Sequence, residues 1–79
     1  MWADDFDKAV EVLSINAKRF PGSANVYDSL GEALEKSGKL AEARNNYEKA
    51  VKLAKAENNG FLKVYEENLN RVQELVAEK

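Results

Sequence analysis

The residues that could do chemistry here are few in kind. Histidine and cysteine are both absent. That excludes thiol nucleophiles, disulfides, zinc-finger spacings and imidazole acid–base work. Carboxylates and hydroxyls remain. Asp4, Asp5 and Asp7 stand together, as do Glu66 and Glu67. General acid–base work needs a cleft and shifted pKa values. These carboxylates lie instead on or near helix ends, and at a helix start negative charge simply suits the dipole. Ser14, Ser23, Ser29 and Ser37 have no histidine to activate them. Gly22, Gly31, Gly38 and Gly60 are too scattered to cradle a phosphate. The expectation is a protein with no enzymatic activity, no cofactor and no bound metal.

The bulk numbers agree with a binding or structural role. A chain of 79 residues bounds a single domain with a modest core. Hydrophobic residues at 44% and charged residues at 33% suit a folded chain and argue against disorder. The net charge of −2 comes without a basic stripe, so nucleic acid is not an expected partner. No apolar run is long enough to span a bilayer, so no membrane partner is expected. The acidic N-terminus does not resemble a secretory leader, and the expected location is cytoplasmic.

The elements that must position any site are four amphipathic helices. The first covers about 4–20, with Phe6, Val10, Leu13, Ala17 and Phe20 on one stripe. Pro21-Gly22 stops it. Ser23 is set to cap the second, about 24–37, whose stripe is Val26/Tyr27, Leu30, Gly31 and Ala33/Leu34. Gly38 stands where a helix C-terminus needs a left-handed residue. The third covers about 40–56, with Leu40, Ala43, Tyr47, Ala50, Val51 and Ala54 inward. Asn58-Asn59-Gly60 is a turn signal. The fourth covers about 61–78, with Phe61, Val64/Tyr65, Leu69, Val72, Leu75 and Val76 as its stripe. Short connections make successive helices antiparallel. Nothing alternates with period two, so the fold class is all-α, an array of antiparallel helical hairpins.

An internal repeat ties these helices together. An offset of 34 residues pairs Phe6 with Leu40, Ala9 with Ala43, Leu13 with Tyr47, Ala17 with Val51 and Phe20 with Ala54. Within 24–57, Tyr27, Leu30-Gly31, Leu34, Gly38, Ala43, Tyr47 and Ala50 fall at spacings that resemble the tetratricopeptide repeat (TPR) family. The small pair Gly31 and Ala43 permits a close helix crossing, and Tyr27, Leu34 and Tyr47 fill the space around it. The family often has proline where this repeat has Lys55; Pro21 holds that place one period earlier. Residues 1–23 then read as the second helix of a preceding repeat, 24–57 as a complete repeat and 58–79 as a capping helix. In the last helix Tyr65 stands where the family has glycine and Glu67 where it has a small residue.

The resemblance implies a protein–protein interaction module whose concave groove holds a partner segment. The implied groove positions are Asn25, Asp28, Ser29, Glu32, Glu35 and Lys36 on the second helix. On the fourth they are Asn59, Leu62, Lys63, Glu66, Leu69 and Asn70. Some family members clamp a peptide's terminal carboxylate with lysine and asparagine, but Asp28 and Glu32 occupy those places here. Two carboxylates would repel such a ligand, so a basic or mixed peptide is the expected partner. The bland alternative is that these carboxylates form a solvated face. A second expectation concerns the first helix, which lacks a partner from its own repeat. Trp2, Phe6, Val12 and Ile15 give it a wide apolar surface, costly to leave in water. A second copy of the chain would cover it in a homo-oligomer; upstream residues of a longer protein would do the same.

Overall fold

The computed structural model describes residues 3–78, with side chains from Phe6 onward. Trp2, one of the residues expected on the self-association surface, lies outside the described residues, as do the side chains of Asp4 and Asp5. The chain forms α1 (Ala3–Arg19), α2 (Ala24–Lys36), α3 (Leu40–Glu57) and α4 (Leu62–Ala77). The element order and type match the all-α expectation, and each boundary falls within about a residue of the expected one. No strand occurs among the described residues.

The helix ends are set by local chemistry. Ser23 has an extended backbone, and its side chain accepts a hydrogen bond from the Val26 N–H at 3.3 Å. That satisfies one of the donors left over at the start of α2. At the other end Gly38 takes φ +85°. Its N–H donates to the Glu35 carbonyl, and the Lys39 N–H donates to the Leu34 carbonyl at 2.9 Å. This paired closure satisfies the carbonyls of Leu34 and Glu35 and reverses the chain into α3. The stop after α3 uses the same geometry with a different residue. Asn58, not Gly60, takes the left-handed conformation at φ 53°. Asparagine tolerates that region better than other side chains do. The Asn59 side chain then accepts from the Phe61 N–H at 2.8 Å, which starts α4.

The core is built mostly from the α2–α3 hairpin. Tyr27, Leu30, Leu34, Ala43, Tyr47, Ala50, Val51 and Ala54 are buried in one cluster, which Ala17 of α1 and Tyr65 and Val72 of α4 join. The close crossing is real. A Cβ placed on Gly31 would lie 2.7 Å from Cδ1 of Tyr47. The tyrosine ring therefore occupies the space that a side chain at 31 would need. α1 packs on α2, and α4 packs on α3.

Three apolar residues expected inward point to solvent. Phe20 follows the last turn of α1 and is 55% exposed, beside Arg19. Phe61 and Val64 are 64% and 47% exposed. The reason is the rotation of α4. Tyr65 and Val72, two turns apart, are the residues that reach the core, with Leu62 and Leu69 packed beside them. A tyrosine this large claims the centre of the contact face, and Val64, a 100° step away, is turned out of it.

Candidate functional site

The face shared by α2 and α4 carries the most organised polar chemistry in the described chain. Asp28 and Glu35 lie seven residues apart on α2, which places them on one flank of that helix. Asn68 and Arg71 lie three apart on α4 and point back at them. Asn68 Nδ2 donates to Asp28 Oδ1 at 2.9 Å. Arg71 grips Glu35 with two nitrogens, Nε to Oε2 at 3.0 Å and Nη2 to Oε1 at 2.7 Å. Arg71 Nη1 also donates to Asn68 Oδ1 at 3.0 Å. From beneath, the Tyr47 hydroxyl of α3 donates to Glu35 Oε1 at 2.8 Å. Three helices are thus joined through one bidentate guanidinium–carboxylate pair, a geometry stronger than a single charged contact.

The electrostatics follow from those bonds. Arg71 is the first cause holding the Glu35 carboxyl below its ordinary range, and Tyr47 adds to it; partial burial opposes both. The Tyr47 hydroxyl is pushed well above its usual pKa, first by burial and then by the carboxylate it bonds to. Asp28 behaves in the opposite way to Glu35. Burial raises its pKa, and Glu32 raises it further, while the Asn68 hydrogen bond and the more distant Arg71 only partly offset that.

The expected groove residues are distributed over two faces. Asn25, Glu32 and Lys36 are exposed on α2, and Ser29 is half-buried beside them. Glu32 and Lys36 pair loosely at 3.5 Å. Lys36 also lies 5.8 Å from the centre of the Phe6 ring, so the α1 side of this face is partly covered. Asp28 and Glu35 are committed to α4. Leu69 does not join them. It lines a cleft with α3 on the opposite flank of α4, and Leu62, two turns earlier, shares that side. Lys63 is exposed and Glu66 half-buried on the outer part of α4. The residues that α4 does present to α2, Asn68 and Arg71, were not among those expected. Their signal was available: a donor pair on α4 matching an acidic pair on α2. It was hidden by the register assumed for α4, which Tyr65 shifts.

The carboxylates of this face are tied to asparagine and arginine. The family model of the tetratricopeptide repeat matches residues 24–56. Residues 24–56 are thus similar to a tetratricopeptide repeat. They comprise α2, the Gly38 turn and nearly all of α3, which is the hairpin that supplies most of the core. No curated protein and no solved structure matches the chain. Repeats of this family are protein-interaction units and generally non-catalytic. In the matched segment the first helix, α2, leaves Asn25, Glu32 and Lys36 exposed and Ser29 half-buried, while Asp28 and Glu35 are held by α4. Among the described residues no helix is long and apolar enough to cross a membrane.

Proposed function

We propose that this chain holds an extended segment of a partner protein along the outward face of α2, with α4 as one wall. The observation that carries this is the Arg71–Glu35–Tyr47 junction. It ties α4 to α2 and engages Glu35, while Asn68 engages Asp28; Glu32, exposed and paired only loosely with Lys36, is the acidic contact left for a partner. A preorganised surface loses less entropy on binding than a mobile one. Asn25 and Ser29 supply neutral hydrogen bonds, and Glu32 and Lys36 favour a partner of mixed or basic charge. Leu62 and Leu69 are not part of this surface, because they face α3.

The test uses a labelled basic peptide and its acidic counterpart, read by fluorescence anisotropy at low and moderate salt. Glu32→Lys should weaken the basic peptide by about threefold to tenfold, the range of a partly exposed charge contact. Helix content by circular dichroism should not change, because Glu32 is exposed. Unaltered affinity for the basic peptide would remove the α2 face as the site.

A second reading rests on a different observation. Val12 and Ile15 of α1 are 57% and 53% exposed, and one turn separates them. This supports self-association through Val12 and Ile15 of α1; Phe6, half-buried beside Lys36 of α2, is not part of that face. Light scattering over a concentration series decides it. A monomer at high micromolar concentration discards this reading, and so does an oligomer that Ile15→Glu leaves intact.

A further inference from the structure

A second surface lies on the far flank of α4. Between α3 and α4 runs an open cleft of about 610 Å³. Its floor includes Val51 and Leu69, and its rim carries Lys49, Lys52 and Lys55. Glu48 also lines it but pairs with Arg44 at 3.7 Å. Lys49 Nζ lies 4.9 Å from the centre of the Tyr27 ring and Glu48 is engaged with Arg44, so Lys52 and Lys55 set the sign of this flank in a chain whose net charge is −2. The sign of this flank is opposite to that of the chain as a whole, and opposite to the acidic flank of α2. The lysine rim extends along α3 for about two turns, roughly 9 Å at 1.5 Å per residue. That matches about two turns of a docked helix lying in the angle between two packed helices.

We infer that this cleft receives an amphipathic helix of a partner protein, one whose apolar stripe meets Val51 and Leu69 and whose flanks are rich in glutamate and aspartate. Charge decides between this occupant and a second copy of the chain. The open apolar face of α1 is the self-derived candidate, but its charges are mixed: Asp4, Asp5, Asp7 and Glu11 stand against Lys8, Lys18 and Arg19. Lys18 and Arg19, next to Ile15, would meet the rim as like charges, so α1 complements it less well than a helix whose flanks are uniformly acidic. The acidic helix is met by Lys52 and Lys55, both exposed. The inference stands apart from the α2 surface, since it uses other residues, the opposite flank of α4 and a partner of the opposite charge.

The experiment uses the full chain and three synthetic peptides. One carries leucines at i, i+3, i+4 and i+7 flanked by glutamates. The second has the same composition scrambled so that no stripe forms. The third has lysines for glutamates. Binding is read by anisotropy at two salt concentrations, and the surface is mapped by amide shifts in nitrogen-15 spectra. The patterned acidic peptide should bind at least about tenfold more tightly than either control, with shifts centred on Val51, Lys52 and Leu69. Raising the salt should weaken it, because the rim charges are exposed. Lys52→Glu with Lys55→Glu should abolish most of the affinity; both lysines are exposed, so the fold should survive, which circular dichroism checks. Equal binding of the scrambled peptide would overturn the inference, because charge alone would then explain it. Shifts centred on α2, an unaltered Lys52→Glu/Lys55→Glu variant, or a cleft already closed by a second copy in sedimentation would overturn it too.

Discussion

At the residue scale the decisive partners are two carboxylates on one helix with opposite behaviour. Glu35 is held below the ordinary glutamate range by Arg71, and Asp28 is raised above the ordinary aspartate range by burial. A depressed folded-state pKa means that Glu35 adds stability above its unfolded value, and that this is lost as pH falls through the folded value. Arg71→Met should therefore lower the urea midpoint at neutral pH. Its deficit against the parent chain should shrink as pH drops below about 4.5. Asp28 runs the other way. Its ionised form is disfavoured by burial, so Asp28→Asn, which keeps an oxygen to accept from Asn68, should raise the neutral-pH midpoint. That gain should fade as the parent's own Asp28 protonates in acid. Denaturation curves at pH 7 and at pH 4 check both signs. The acidic half of this site was legible in the sequence, because Asp28, Glu32 and Glu35 recur on one side of a helix. The other half was not, because Asn68 and Arg71 acquire their role only from how α4 is turned.

At the scale of the elements, the stops and caps govern the hairpins. Gly38 at φ +85° closes α2, and a side chain there would be strained although no atom lies in its way. Gly38→Ala should cost about 1 kcal/mol through that backbone conformation, measured as a shift in the denaturation midpoint. The same stops made the helices readable in advance. Pro21-Gly22, Ser23, Gly38 and Asn58-Asn59-Gly60 carry their conformational preferences with them, whatever the tertiary setting. What could not be read was which face of α4 is inward. Phe61, Val64, Tyr65, Leu69 and Val72 offer two competing apolar stripes, and periodicity alone does not choose between them. Packing chooses the stripe with Tyr65 and Val72, at the cost of exposing Phe61 and Val64. The same ambiguity affected Phe20, where the helix ends just before the residue that would have completed its stripe.

At the scale of the molecule, the helices form a slab with a shortest extent of 17 Å, less than twice a helix diameter of about 10–12 Å. Burial is uneven across that slab. α2 and α3 contribute most of the buried positions and α4 adds Tyr65 and Val72, whereas among its described side chains α1 buries only Ala17. Native-state hydrogen exchange should find the slowest amides in α2 and α3. α1 should open first, at a free energy below that of global unfolding. Equal protection in all four helices would mean that α1 is braced by something beyond its packing on α2. The slab has little stability to spare, so the close crossing at its centre matters to the whole. Gly31→Ala gains about 1 kcal/mol of helix propensity but drives a methyl into a ring whose hydroxyl is tethered to Glu35. Overpacking of this kind costs about 1–3 kcal/mol, so a net loss is expected in urea denaturation. Tyr47→Leu on top of it should restore part of the loss. Glycine at 31 and the ring at 47 are therefore a single inherited character written at two places. In any lineage of this chain the two positions should change together, with residue 31 growing only after the ring at 47 has gone.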